Sequence, residues 1–180
     1  RNVVFNIARA YEQLQRFPDA HRYYTEALEA ETDAAQRATL EGAIARISPN
    51  VTVLRVESDP PGATIYINRR DLGSRGTAPR ALAFVPGRYR VLIEREGYEP
   101  AQSDEIDGRL GQQQTIRLQL RRIVGTVLVE GENGARIHVD DEQSPPQCTA
   151  PCSLELSPGA HTLFFSREGY QTAPRPITVE

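Results

Sequence analysis

Two stretches of this chain repeat one another, and they decide its fold. The first is residues 62–98, which read GATIYINRRDLGSRGTAPRALAFVPGRYRVLIEREGY, and the second is residues 134–170, which read GARIHVDDEQSPPQCTAPCSLELSPGAHTLFFSREGY. They align without a gap at a shift of 72 residues, and thirteen of the thirty-seven positions are identical. Many of the identities are Gly and Pro, which set backbone angles that other residues reach with difficulty. The alignment therefore predicts a duplicated domain.

Each copy has the pattern of short β-strands separated by turns. In the first copy we predict strands over residues 51–56, 64–67, 88–93 and 115–120, because apolar and polar residues alternate there. Gly and Pro residues separate these segments. Tyr98 and Tyr170 follow a Gly at the end of each copy. We expect both rings to pack in the core, with the hydroxyl group at its polar edge.

Residues 1–48 have helical periodicity instead. Apolar and small residues recur at the spacing of one helix face in three successive segments. Pro18 ends the first segment and Thr32-Asp33 ends the second, and Ser48-Pro49-Asn50 follows the third. The sequence therefore predicts three helices. Their apolar faces carry Val4, Ile7, Ala8, Tyr11 and Leu14, then Ala20, Tyr23, Tyr24, Ala27 and Leu28, then Ala38, Leu40, Ala43, Ile44 and Ile47.

The first two helices have residues at the spacing of a known repeat. These residues are Ile7, Ala8, Tyr11, Phe17, Ala20, Tyr24, Ala27 and Leu28. Residues 4–32 thereby resemble a tetratricopeptide repeat, with Val4 where Trp is common and Thr32 where Pro is common. The third helix is similar to the capping helix of such arrays. Because one repeat cannot bury its own face, the resemblance implies further helical repeats upstream.

Three tyrosines of the helical segment are candidate interaction residues. Tyr11, Tyr23 and Tyr24 lie on the predicted helix faces. Packing between the helices is the favoured interpretation, since an apolar helix face is more often core than a binding site. The same three residues are nonetheless the candidate surface for a protein partner.

The two β copies share an order of turn groups. Each has a Gly-Ala pair, a Thr-Ala-Pro turn, a Pro-Gly hairpin and a final Gly-Tyr. Residues 58–61 read SDPP before the first Gly-Ala, and residues 130–133 read EGEN before the second. This order resembles the PEGA domain. The resemblance implies small antiparallel β-sandwiches of the transthyretin-like type, a cell-envelope or signalling context, and no catalytic residue.

The predicted organisation is therefore multi-domain, α followed by β. Residues 1–48 form a tetratricopeptide-like hairpin with a capping helix. Residues 51–122 form a first PEGA-like β domain, and residues 123–180 form a second.

Composition and charge narrow the classes of partner. All 21 basic residues are Arg, and 24 acidic residues bring the net charge to −3. A nucleic-acid-binding protein has a basic excess on one element, so no nucleic-acid partner is expected. The chain has no apolar run of the ~18–20 residues that a membrane-spanning helix needs, so no membrane segment is expected in it.

No metal ion, cofactor or catalytic group is expected. His21, His138 and His161 are not near a His, Cys or carboxylate at ligand spacing. The acidic run at residues 140–142 is a possible Ca²⁺ ligand set, but a solvated hairpin tip is the favoured interpretation because three consecutive carboxylates do not converge on one ion.

The two cysteines, Cys148 and Cys152, lie on either side of Thr149-Ala150-Pro151. One pair at this spacing matches neither a zinc knuckle nor a thioredoxin-like redox motif. A disulfide across the turn is the remaining specific prediction, and it favours a periplasmic or otherwise extracytoplasmic location. The alternative is two free thiols in a cytoplasmic protein.

These observations lead to three function hypotheses. The first is a non-enzymatic scaffold of the bacterial cell envelope, in which the helical repeat docks a protein partner and the β domains act as spacers or docking modules. The second is a cell-wall or carbohydrate-binding module that uses the β domains. The absence of Trp and the 7% aromatic content disfavour it. An enzyme is the third and least favoured hypothesis.

Overall fold

The computed structural model describes residues 2–170 and 173–180. It divides into two compact units, Arg1–Arg121 and Arg122–Glu180. In the described residues, three α-helices precede a series of short β-strands, most of them paired antiparallel. The predicted α-then-β fold class is therefore confirmed.

Three helices form the beginning of the first unit: α1 (Asn2–Gln13), α2 (Phe17–Ala30) and α3 (Ala34–Ile47). Pro18 lies in the first turn of α2, where a missing N–H costs no helical hydrogen bond. Asp33 caps α3, because its side chain accepts a hydrogen bond of 2.9 Å from the Gln36 N–H. The buried residues between the helices are Ala8, Ala20, Tyr24, Leu40, Ala43 and Ile47.

The rest of the first unit is a small β domain built around its first strand. A three-strand sheet has the order β3 (Arg80–Phe84), β1 (Thr52–Asp59), β8 (Gln113–Gln119), with β3 antiparallel and β8 parallel to β1. The other sheets are β2 (Thr64–Ile67) with β5 (Val91–Glu94) and β6 (Ala101–Gln102), and β4 (Gly87–Tyr89) with β7 (Ile106–Gly108). Leu54, Val56, Ile65 and Ile93 are fully buried in its core.

The single strand predicted over residues 88–93 is two strands, β4 and β5, which are interrupted at Arg90. The Arg90 N–H donates to the Asn68 side-chain oxygen at 2.8 Å, and the Arg90 carbonyl accepts from the Asn68 N–H at 2.7 Å. Both backbone groups of Arg90 are thus bonded to one residue, and the ladder breaks there.

Two sheets form the second unit. One is a two-strand sheet of β9 (Gly125–Val129) and β12 (Cys152–Leu156). The other has the order β11 (Cys148–Thr149), β10 (Arg136–Val139), β13 (Gly159–Ser166), β14 (Ala173–Val179). The buried core of the second unit lies between the two sheets and includes Val129, Ile137, Leu154 and Leu163.

The repeated turn has the same hydrogen bonds in both units. The Ala78 N–H donates to the Ala63 carbonyl at 2.8 Å, and the Ala150 N–H donates to the Ala135 carbonyl at 2.8 Å. Ala78 and Ala150 are both buried. The four residues occupy aligned positions of the repeat, so the repeated sequence produces the same local backbone structure twice.

Candidate functional site

Tyr11 and Tyr23 form an aromatic stack on the helical hairpin. Their ring centroids are 5.4 Å apart and the rings are nearly parallel, at 6°. The Arg16 guanidinium lies 4.8 Å from the Tyr11 centroid, and the Arg22 guanidinium lies 4.6 Å from the Tyr23 centroid. Cation–π attraction therefore holds one arginine beside each ring of the stack. Arg16 is fixed further by an ion pair of 2.7 Å with Asp19.

Tyr24 lies in the core and not on a surface. Its side chain is fully buried, and its ring packs edge-on against Phe5 with centroids 5.8 Å apart. Tyr24 was one of the three candidate interaction residues, so this part of the prediction is corrected. The physical reason is helical periodicity: adjacent residues such as Tyr23 and Tyr24 point about 100° apart, so Tyr24 reaches the centre of the helical core while Tyr23 lies partly buried at its margin.

A chain of polar side chains links the three helices. The Tyr24 hydroxyl donates to Glu12 at 2.7 Å, and Glu12 accepts two hydrogen bonds from Arg46, at 2.8 and 2.9 Å. The Arg46 hydrogen bond holds the pKa of Glu12 below its usual value. Burial, together with the Glu12 carboxylate, raises the pKa of Tyr24 to about 12. Glu12 thus fixes the relative position of α1, α2 and α3.

His21 is buried on α2, with a lone polar contact of 3.3 Å between its Nδ1 and the Thr25 hydroxyl among the described side-chain hydrogen bonds. Burial lowers the pKa of His21 to about 4, because the imidazolium would lose its hydration. The side chain is therefore neutral at neutral pH.

A cavity of about 320 Å³ lies among the three helices. Its apolar lining is Val4, Phe5, Ala27, Ala30 and Leu40, and its polar lining is Glu26, Glu31, Gln36 and Thr39. One carboxylate oxygen of Glu31 accepts hydrogen bonds from the N–H groups of Thr32 and Asp33.

The predicted Cys148–Cys152 disulfide is present and joins β11 to β12, with the two Cα atoms 6.3 Å apart. Gly76 and Arg80 occupy the aligned positions in the first unit. There the Arg80 side chain lies directly over Gly76, so closely that a Cβ on Gly76 would overlap it. At the aligned positions of this turn, one unit therefore has a covalent bond and the other has a glycine covered by an arginine side chain.

Asp140 and His161 interact, which was not expected from the sequence. His161 Nδ1 lies 2.8 Å from a carboxylate oxygen of Asp140, and the other oxygen accepts from the Thr162 N–H at 2.9 Å. The Asp140 hydrogen bond raises the pKa of His161, and the Thr162 and His161 hydrogen bonds lower the pKa of Asp140. Asp140 is thus bound to the neighbouring strand while its side chain stays exposed to solvent. The two residues are 21 positions apart, so no local sequence signal joins them.

His161 does not have the geometry of a general base for Ser157. Its Nε2 lies 2.8 Å from the Ser157 carbonyl oxygen and 3.3 Å from the Ser157 hydroxyl. Both ring nitrogens therefore face acceptors, which favours the doubly protonated ring. A nitrogen that donates to a carbonyl has no lone pair for the hydroxyl proton.

Tyr98 and Tyr170 differ in burial. Tyr98 packs against the core of its domain, as predicted. Tyr170 is 66% exposed, so the prediction of a core residue is wrong there. The Arg167 guanidinium lies 5.3 Å from the centroid of its ring.

In residues 2–170 and 173–180, no group of three or more His, Cys, Asp or Glu side chains could hold a metal ion. Within the same residues, the helices are too short or too polar to span a bilayer.

Comparison with known proteins identifies one part of the chain. Residues 51–123 match the family described as the PEGA domain. No curated protein matches the chain. Among solved structures, the chain is similar to the Bacillus anthracis TIE protein with 16% sequence identity and a TM-score of 0.48. The similarity covers 73% of this chain and 32% of that protein, so this chain spans about a third of its length.

Proposed function

We propose that this chain is a non-enzymatic protein–protein interaction module of the bacterial cell envelope. The helical hairpin docks a partner protein, and the β domains act as spacers or docking modules. The observation that carries the proposal is the stack of Tyr11 and Tyr23 with Arg16 beside the first ring and Arg22 beside the second.

Tyrosine and arginine are enriched at the centres of protein interfaces. Each provides apolar contact area together with a polar or charged group. The stack is also held in place before binding, by the Arg16–Asp19 ion pair and by the two cation–π contacts. Because these side chains are already ordered, binding of a partner there costs less conformational entropy than binding to mobile side chains would.

The location is supported by the Cys148–Cys152 disulfide, because disulfides persist in oxidising compartments. The PEGA match of residues 51–123 agrees with a cell-envelope context. No residue is assigned a catalytic role, and the proposed partner is a protein.

A crosslinking experiment in the full chain tests the docking role of the stack. A photoreactive amino acid replaces Arg22 beside the stack, and a control replaces the exposed Ala38 on α3. In extracts of the native cell envelope, we expect one protein to crosslink at position 22 and not at position 38. Tyr11→Ala with Tyr23→Ala should remove the crosslink from position 22. Equal crosslinking from both positions would contradict the proposal.

A cell-wall or carbohydrate-binding role for the β domains is the second candidate. It is favoured by Tyr170, whose exposed ring is available to stack on a sugar. Sedimentation with purified cell-wall material, compared between the unchanged chain and Tyr170→Ala, separates this role from the first. Binding that depends on Tyr170 would favour it over protein docking.

A further inference from the structure

A groove of about 170 Å³ lies between α2 and β3 in the first unit. Its charged lining is three arginines and one aspartate: Arg22, Arg75, Arg80 and Asp19. Its apolar lining is half-buried and consists of Pro18, Ala81, Leu82, Ala83 and Phe84. We call this site, with apolar walls and an excess of positive charge, the arginine groove.

Two of the three arginines have no acidic partner. Arg22 and Arg75 are exposed, and neither forms an ion pair or a side-chain hydrogen bond with another described residue. The Arg22 guanidinium lies 4.6 Å from the centroid of the Tyr23 ring, a contact that does not neutralise its charge. Because arginine stays protonated in proteins, the groove has two uncompensated positive charges.

Arg80 is the most enclosed of the three arginines, with 24% of its side chain exposed. Its ion pair with Glu29 spans 3.6 Å, which is longer than the about 2.7–2.9 Å of a charge-assisted hydrogen bond. The Glu29 side chain is itself 53% exposed, and such pairs contribute little. The guanidinium of Arg80 can therefore form a shorter bond to a ligand in the groove.

The one carboxylate of the lining does not neutralise these arginines. Asp19 Oδ2 lies 2.7 Å from Arg16 Nη2 and accepts a second hydrogen bond of 2.9 Å from Arg16 Nε. Arg16 does not line the groove. The charge of Asp19 is thus matched outside the groove, and the excess positive charge within it remains.

Support of the repeated turn does not explain the two arginines of the β domain. In the second unit, Gln147 and Cys152 occupy the positions aligned with Arg75 and Arg80. The turn there forms the same backbone hydrogen bond, from the Ala150 N–H to the Ala135 carbonyl. The turn thus forms without an arginine at either position.

The size of the groove and its place on the hairpin indicate the kind of ligand. Pockets for small organic ligands have volumes of about 300–1,000 Å³, so a groove of 170 Å³ is sized for side chains of a polypeptide. Planar guanidinium groups match the geometry of carboxylates. Arg22 belongs both to this groove and to the Tyr11–Tyr23 stack, so the groove is continuous with the proposed docking surface.

We propose that the arginine groove binds an acidic segment of the partner protein, in which two nearby Asp or Glu carboxylates pair with Arg22, Arg75 and Arg80. Two carboxylates match the two uncompensated charges of the groove. This inference rests on the docking role proposed for the helical hairpin, and it specifies the chemistry of the partner. Arg75 and Arg80 take no part in the aromatic stack, so they test it separately.

A peptide of sequence GAEEAG is the probe, and GAQQAG is its uncharged control. In nuclear magnetic resonance spectra of the full chain at low salt, up to about 10 mM of the acidic peptide should shift the Nε–H resonances of Arg75 and Arg80. Added salt should reverse the shifts, because exposed charges are screened. Equal shifts with both peptides, or none with the acidic peptide, would overturn the site.

Two arginine variants separate the groove from general charge attraction. Arg75→Gln should weaken binding of the acidic peptide about fivefold. The control is Arg90→Gln, which removes another exposed arginine without an ion pair to a described residue, in a different part of the first unit. Its effect should stay within about twofold. Equal weakening by the two substitutions would overturn the assigned position of the site.

Removal of the competing carboxylate tests Arg80. Glu29→Gln leaves Arg80 without its ion pair and should strengthen binding of the acidic peptide about twofold. A gain of affinity cannot result from misfolding, so this variant is informative whatever the stability of the others. Unchanged or weaker binding would overturn the part assigned to Arg80.

Two further probes distinguish other sources of negative charge. Inorganic phosphate that produces the same shifts at a lower concentration than the acidic peptide would identify a free oxyanion as the ligand. Sedimentation with phosphatidylglycerol vesicles that is lost in Arg75→Gln and kept in Arg90→Gln would identify an anionic lipid. Either result would overturn the protein segment as the occupant.

Crosslinking in the native cell envelope separates this inference from the docking role itself. In chains with the photoreactive amino acid at position 22, Arg75→Gln with Arg80→Gln should greatly reduce the crosslink to the partner, and Arg90→Gln with Arg121→Gln should not. A crosslink that persists unchanged without Arg75 and Arg80 would overturn the acidic segment and leave the docking role intact. No crosslink at position 22 in the parent chain would contradict the docking role, whether or not the acidic peptide binds.

Discussion

The turn between Ala63 and Arg80 and the turn between Ala135 and Cys152 have the same backbone hydrogen bonds but different supports. In the first unit Arg80 lies over Gly76 and reaches Glu29 of α2 at 3.6 Å. In the second unit Cys148 and Cys152 are joined covalently. The first turn is thus linked to a neighbouring helix by an ion pair, and the second contains a covalent bond between its own strands. The repeated sequence therefore forms the same turn in both units, although different interactions accompany the turn in each.

The two units also differ in their sheets and in their size. Strand β1 has two neighbours and lies in a unit with three helices, whereas the second unit has only residues Arg122–Glu180. A domain of about 60 residues buries a marginal core. The disulfide is a covalent link within this smaller unit.

The largest effect is expected from truncating the same core position in each unit. Ile65 and Ile137 align in the repeat and are both fully buried. Ile65→Ala and Ile137→Ala should each lower the unfolding free energy of their own unit by about 3 kcal/mol. The melting temperature should fall further for Ile137→Ala, because a smaller unit has a smaller unfolding entropy. Calorimetry of the full chain, with hydrogen exchange to assign each transition, measures both. Equal shifts in melting temperature would contradict the size argument.

Acidification should destabilise the first unit through His21. Its pKa in the folded chain is about 4, against 6.5 for an unperturbed histidine, so the unfolded state binds the proton first as pH falls. The contribution of neutral His21 to the unfolding free energy is fully present above pH 6.5. It is lost as pH falls from 6.5 towards 4, by up to about 3 kcal/mol. Denaturant unfolding at several pH values measures the loss.

The matched control is His21→Leu, which keeps an apolar side chain in the buried site without a titrating group. The unfolding free energy of the unchanged chain should fall relative to that of His21→Leu on acidification, since carboxylates such as Glu12 affect both proteins equally. A difference that stays constant from pH 7.5 to 4.5 would rule out His21 as the cause.

Removal of the disulfide should affect the second unit alone. Cys148→Ser with Cys152→Ser should lower its unfolding free energy by about 2 kcal/mol, the chain-entropy value for so short a loop. The first unit, whose turn is supported by Arg80, should unfold as before. Reductant should produce the same shift in the unchanged chain and no shift in the double variant. A loss shared by both units would contradict the separation of their supports.

The smallest effect is expected from Asp140 and His161, and it has the opposite pH direction to His21. The raised pKa of His161 means that its contribution is fully present below pH 6.5 and is lost as pH rises through the folded pKa. The Asp140 contribution is present above pH 3.8 and is lost as pH falls below it. Together, the His161 and Asp140 contributions to the unfolding free energy should be at most about 1 kcal/mol, because Asp140 is exposed to solvent.

Nuclear magnetic resonance titration of the His161 ring measures its pKa directly. We expect a value above 6.5 in the unchanged chain and a return towards 6.5 in Asp140→Asn. A control titration of His21 in the same samples should be unaffected. An unchanged His161 pKa in Asp140→Asn would show that the Ser157 carbonyl alone is responsible.

The sequence by itself determined the features that depend on local pattern and on the repeat. Helical spacing identified the three helices, alternation identified most strands, and the closeness of Cys148 and Cys152 identified their bond. Helix and strand periodicities follow from backbone geometry, and two cysteines four residues apart on a turn are within bonding reach whatever the rest of the chain does.

Only the tertiary structure decided the features that join distant residues. It buried Tyr24 while leaving Tyr23 beside Tyr11, brought Asp140 to His161, paired β8 in parallel with β1, and exposed Leu128 and Tyr170. The Tyr11–Tyr23 stack and the Asp140–His161 contact both belong to this second group. Contacts between residues far apart in sequence depend on which elements become neighbours, and that choice is made by the packing of the whole unit and not by any local stretch of it.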